Sequence, residues 1–166
     1  MGYLKNKGVQ PQDVTSIVIK DRKNLREMPG WIFSLTPHVK KIAIINCAIS
    51  RVPSGIGKLQ QLESLDLHRN RIKEVHPNIQ KVKSLRTLVL SRNALEDIPK
   101  GVYNMPWLKV LDVCFNKIHQ FDNAAMRKLR NTKVYSGFNK AHTLLLGPAG
   151  FASPRLKTQT GVHEYN

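Results

Sequence analysis

Apolar residues recur along this chain in one figure: two positions three apart, a third two further on, a small or amide residue three later, and an apolar one two after that. The figure reads Val39, Ile42, Ile44, Cys47, Ile49, and next Leu62, Leu65, Leu67, Asn70, Ile72. It returns as Leu85, Leu88, Leu90, Asn93, Leu95 and as Leu108, Leu111, Val113, Asn116, Ile118, so the starts at 39, 62, 85 and 108 are 23 residues apart. The two apolar residues separated by one position share a face of a short strand and point it into a core. The asparagine stands where the chain turns out of the sheet, where its amide can serve backbone groups that stacking would otherwise leave unpaired. Pro53 with Ile56 and Leu59, Ile79 with Val82, and Pro99 with Val102 and Met105 are apolar at a spacing of three, which predicts one irregular helical turn behind each strand. A single repeat cannot bury its apolar side, so the turns stack into a curved solenoid.

The ends of the pattern are irregular. Val14, Ile17 and Ile19 form an earlier strand starting 25 residues before Val39, followed by Leu25, Met28 and Pro29, with Trp31 and Phe33 thickening the cap. After Phe121, Asp122 is a helix N-cap for a short closing helix, and Leu129, Thr132 and Val134 make a degenerate sixth turn. From Tyr135 onward no period is visible among Gly137, Gly147, Pro148, Gly150, Pro154 and Gly161, which reads as an extended tail.

A 23-residue period with these residues resembles the leucine-rich repeats. The run Pro53-Ser-Gly-Ile-Gly-Lys-Leu-Gln-Gln-Leu-Glu-Ser-Leu-Asp-Leu-His-Arg-Asn70 is similar to the intracellular 23-residue repeats of Ras-pathway scaffold proteins, and the likeness covers residues 14 to 122. It implies an α/β solenoid: a short right-handed leucine-rich-repeat horseshoe with a parallel concave sheet, irregular caps and an extended C-terminal tail. Residues 1–13 are then an N-terminal arm, 14–134 the repeat domain of five repeats plus a closing turn, and 135–166 a basic tail. The resemblance also implies a non-enzymatic binding scaffold.

Outward positions of the strands line the concave face: Ser16, Val18 and Lys20; Lys41, Ala43 and Ile45; Ser64, Asp66 and His68; Thr87, Val89 and Ser91; Val110, Asp112 and Cys114. Asp21, Asn46, Arg69, Arg92 and Phe115 lie just beyond each strand. Lys41, Ile45, Asp66, His68, Arg69, Val89, Arg92, Asp112 and Phe115 are the candidate binding residues, with Arg69 and Arg92 neighbours at a rung spacing of about 4.8 Å. A strip that is small or apolar along its centre and charged along its edge suits a protein better than a phosphate backbone, which favours interleaved cations and aromatics.

Charge adds a second kind of contact. Among 166 residues, 27 Lys and Arg against 11 Asp and Glu give a net +16, which points to an acidic partner such as RNA or tubulin. Arg127, Lys128, Arg130, Lys133, Lys140, Arg155 and Lys157 form the basic C-terminal part, opposed there by Glu164. The resulting expectation is a structural subunit of a larger intracellular, cytoplasmic assembly: protein partners on the concave face and an acidic surface at the tail. A ribosome-like RNA-contacting subunit and a microtubule or axoneme-associated protein are the alternatives.

Neither an apolar leader nor a run of about 18 apolar residues is present, so secretion and membrane attachment are not expected. Cys47 and Cys114 fall three rungs apart, too far for a disulfide, which fits a reducing compartment. The six histidines occupy unrelated repeat positions, and Asp66 and Asp112 sit two rungs apart, beyond the reach of a paired-carboxylate mechanism. Gly55-Ile-Gly-Lys58 lacks the rest of a phosphate loop. No cofactor, metal, catalytic residue or small-molecule substrate is therefore expected.

Overall fold

A computed structural model of the chain describes residues 14–34 and 38–141. Six short strands form one parallel sheet: β1 (Ser16–Lys20), β2 (Lys41–Ile45), β4 (Ser64–Asp66), β6 (Thr87–Val89), β7 (Val110–Asp112) and β8 (Lys133–Tyr135), in that spatial order. Two short segments, β3 (Arg51–Val52) and β5 (Glu74–Val75), pair on the return side. The register carries the period directly, with Lys41 against Ser64, Ser64 against Thr87, Thr87 against Val110 and Val110 against Lys133. Each position of the repeat thus becomes a column running across the sheet.

The predicted helical turns are 3-10 helices at Gly30–Ser34, Ser54–Lys58, Pro77–Lys81 and Val102–Asn104. A turn of three residues suits a segment whose apolar residues come every third position, because residues i and i+3 then eclipse on one face. Those residues meet the sheet's inner face in a continuous core in which Ile42, Ile44, Leu65, Leu67, Leu88, Leu90, Leu111 and Val113 are fully buried with Ile56, Ile79 and Val102 behind them. At the N-terminal end Ile32 is the residue sealed inside, Phe33 packs partly against the core, and Trp31 stays exposed.

The asparagines tie one rung to the next. The Asn116 side chain donates to Val113 O in its own rung (3.0 Å) and to Leu90 O in the rung before (2.9 Å), while its Oδ1 accepts from Leu95 N (3.0 Å). Asn70, Asn93 and Asn139 repeat this pattern at 2.7 to 3.1 Å. At the second rung Cys47 holds the place, buried, with its thiol toward Ile45 O.

Asn139 corrects the reading of residues beyond 134. It stands 23 residues after Asn116 and completes the ladder, and Ala141 N donates to Ile118 O, so the solenoid continues through residue 141 where a tail was expected from Tyr135. Ser136 hides the repeat, because this last rung puts a polar residue at a buried position where the earlier rungs put an aliphatic one. The closing helix follows expectation: Asp122 accepts from Ala124 N and Ala125 N and caps Asn123–Met126, and a 3-10 turn over Arg127–Leu129 buries Leu129. The expected arm at 1–13 and residues 142–166 lie outside the described residues.

Asn116→Ala should lower stability by about 1–3 kcal/mol in a urea titration, since Leu95 N loses its acceptor and the Leu90 and Val113 carbonyls each lose one of two amide donors. A loss no larger than that of a surface substitution would contradict the ladder. Tyr103 tests the opposite case. Its hydroxyl is buried with no hydrogen-bond partner among the described residues, and burial, then the charges of Asp97 and Asp122, push its pKa up to about 12. Tyr103→Phe should leave stability at neutral pH unchanged or raise it by about 1 kcal/mol. Unfolded tyrosine ionises near pH 10 while the folded one keeps its proton to about 12, so stability falls as pH rises through that window. The phenylalanine variant should lose that part of the alkaline decline.

Candidate protein-docking face

The outward side of the sheet resolves into a floor and two edges. On the floor, the column Ala43, Asp66, Val89, Asp112, Tyr135 runs through the middle of the sheet. Asp66 accepts from the backbone N–H of His68 (3.0 Å) and lies 3.0 Å from its Nδ1, so both side chains are engaged with each other. Asp112 repeats the backbone contact with Cys114 N (2.9 Å). This two-residue turn holds the acids flat against the strand ends and leaves them only partly exposed.

Burial changes the standing of two expected contact residues. Val89 is 5% and His68 8% exposed, so neither offers much area to a partner; Val89 lies between Asp66 and Asp112 on the neighbouring strands, and His68 lies against Asp66. Lys41, Arg69 and Arg92 are exposed, and Ile45, Asp66, Asp112 and Phe115 are partly so.

Cys114 neighbours Asp112 on the same floor. Burial first, and then the Asp112 carboxylate, push its thiol up to about 12, so it stays protonated at neutral pH. In a Cys47→Ala background, alkylation of Cys114 by iodoacetamide at pH 8 should run at least roughly tenfold slower than that of a free thiol. Asp112→Asn should accelerate it.

The edge at the strand ends is a column of left-handed residues. Asp21, Asn46, Arg69, Arg92, Phe115 and Phe138 have φ of 59°, 53°, 55°, 54°, 54° and 57°. Their backbone N–H groups continue the ladder, as in Asn46 N to His68 O, Arg69 N to Ser91 O, Arg92 N to Cys114 O and Phe115 N to Gly137 O. Asparagine and aspartate suit such a backbone, whereas arginine and phenylalanine there cost on the order of 1 kcal/mol each. Asn46 donates to Asp21 and accepts from Lys23, which closes the first two rungs. The last rungs stack instead: Arg92 lies 4.2 Å from the Phe115 ring centroid, and Phe115 and Phe138 are parallel at 4.3 Å and 7°. Phe138 is 65% exposed. It escaped the sequence reading with the rung that carries it; its place 23 residues after Phe115 was the available signal.

The opposite edge, where strands begin, is basic. Lys109 N donates to Arg86 O and Lys133 N to Lys109 O, which sets these three on successive rungs. Lys83 lies 3.9 Å over the Trp107 ring, and the indole N–H donates to Val82 O. Arg127, Lys128, Arg130 and Lys133 sit on the closing turn and Lys140 on the last rung, so these five expected tail residues belong to the folded solenoid, while Arg155 and Lys157 lie outside the described residues. Ion pairs among the described residues are Lys40–Glu63, Arg51–Glu27 and Asp66–His68, so Glu63 pairs with Lys40 on this edge while Arg86, Lys109 and Lys133 have no carboxylate in salt-bridge range among the described residues. Nor is any group of three His, Cys, Asp or Glu placed to hold a metal among the described residues. No helix of the described residues is long and apolar enough to cross a membrane.

Comparison with known families places this geometry. The Leucine Rich repeats model matches residues 83–125 as two copies, and the Leucine Rich Repeat model matches residues 61–81. The chain is a leucine-rich-repeat protein. Among curated proteins none matches it. A leucine-rich-repeat protein of Leptospira interrogans superposes with a TM-score of 0.67 at 20% identity, over 75% of this chain and 33% of that one. The ectodomain of the receptor kinase SOBIR1 from Arabidopsis thaliana gives 0.59 at 26%, over 74% and 67%. A plant peptide hormone receptor in complex with RGF2 gives 0.55 at 25%, over 75% and 19%. The chain thus spans a third of the length of the Leptospira protein and a fifth of that of the hormone receptor. Leucine-rich-repeat domains are generally protein-interaction modules, and their sheet face is an extended binding surface.

Proposed function

We propose that this chain is a non-enzymatic interaction scaffold, a structural subunit of a larger intracellular assembly. Its concave face docks a protein and its basic C-terminal part contacts an acidic surface. One observation carries the reading: a repeat sheet whose floor is occupied by small, apolar and locally satisfied acidic residues is flanked by Arg69 and Arg92 at one edge and by Arg86, Lys109 and Lys133 at the other, none of them in an ion pair among the described residues. A net charge of +16 makes an acidic partner the complement. Two free cysteines fit a reducing compartment.

A second reading, contact with RNA or with an acidic filament such as a microtubule, is favoured by the cluster Arg127, Lys128, Arg130 and Lys133 on the closing turn together with Lys109 one rung away. Replacing those four closing-turn residues by glutamine should weaken association with the partner and flatten its dependence on salt, because fewer screened contacts remain. Affinity purification of wild type and variant across a salt series checks this. Identical retention at every salt concentration would remove the electrostatic anchor from the account.

A further inference from the structure

Among the described residues the Arg92–Phe115–Phe138 stack has an open end. Arg92 covers one face of Phe115 and Phe138 covers the other, while no described ring or cation stacks on the second face of Phe138. Its 65% exposure therefore belongs largely to the outer face and rim of the ring. Large side chains held at left-handed positions, where asparagine fits at less cost, turn this edge into a rigid platform.

We propose that the strand-end edge is a docking site for an acidic peptide segment containing an aromatic residue, its ring on the outer face of Phe138 and its carboxylates at Arg92 and Arg69. This rests on the protein-docking reading of the sheet face. The chemistry of each subsite selects its occupant. An exposed ring takes a flat apolar or cationic group, and the positive field of Arg92, two rungs away through Phe115, disfavours a cation, leaving an aromatic ring. Arg69 and Arg92 are exposed on adjacent rungs, and neither pairs with a described carboxylate, so two like charges a rung apart await an anion that bridges them. Asp66 and Asp112 on the floor beside the edge repel a continuous phosphate backbone laid across the sheet, whereas a peptide presents carboxylates only where its side chains place them.

The test titrates the full chain at low salt with a fluorescein-labelled pentapeptide of two glutamates, one tryptophan and two glutamates, read by anisotropy. The proposal expects saturable binding that weakens roughly five- to tenfold when the tryptophan becomes alanine. Glutamines in place of the glutamates should weaken it at least as much and abolish its salt dependence. On the protein side, Phe138→Asn removes the ring at a residue type that tolerates the left-handed backbone, and should reproduce the loss seen with the alanine peptide. Arg92→Gln should weaken binding and flatten the salt dependence. Equal affinity for the tryptophan and alanine peptides, measured on the unaltered chain, overturns the proposal whether or not the variants fold. A labelled oligouridylate that binds more tightly than the peptide and loses affinity in Phe138→Asn also overturns it, by making the occupant a nucleic acid. If the peptide arms fail while the glutamine-substituted closing turn still releases the partner, the edge assignment falls and the scaffold reading stands.

Discussion

The buried asparagine amide is the interaction on which the rest of this molecule depends. Asn70, Asn93, Asn116 and Asn139 each donate to two carbonyls on successive rungs and accept from a backbone N–H of the rung before. A strand of three residues makes too few ladder bonds to set its own position, so the amide decides how far apart and in what register the rungs lie. With that register set, every residue of the period falls into a straight column. Columns of side chains, not individual residues, are what the protein offers to a partner.

Those columns divide the surface by chemistry. Leucine, isoleucine and valine face inward and supply the hydrophobic stabilisation. On the floor, the carboxylates of Asp66 and Asp112 are used up in turns at the strand ends and anchor backbone N–H groups of their own rungs. The two edges carry what is left over: a row rich in cations where strands begin, with Glu63 paired to Lys40, and a strained column ending in stacked rings where they finish. Like charges gathered on one side oppose folding slightly, and the large buried core offsets that cost. The same imbalance favours association with an acidic surface.

Much of this was legible in the 23-residue spacing. The period of two within Leu65–Leu67 and Leu88–Leu90 located the strands, the spacing of three in Ile56–Leu59 located the return turns, and Asn70 to Asn116 marked the ladder. Three features were not. Hydropathy carries no sign of φ, so the left-handed backbone at Arg69, Arg92 and Phe115 is invisible where neither glycine nor asparagine announces it. The burial of Val89 and His68 follows from how neighbouring rungs crowd the floor, which no single repeat encodes. The closing rung was read as tail because its inward residues are Val134, Ser136 and Asn139 rather than leucines, although Asn139 and Phe138 keep the 23-residue interval. That misreading also placed Lys140 on a tail when the solenoid carries it.

The central claim is that the sheet face, rather than the return side, meets a protein. A photo-crosslinking amino acid placed at Thr87 on the floor, and in a separate variant at Gln80 on the return side, tests it in native cell extract treated with nuclease. The account predicts a discrete protein adduct from position 87 and none from position 80. Adducts from position 80 alone, or an adduct from 87 that disappears with nuclease, would contradict it.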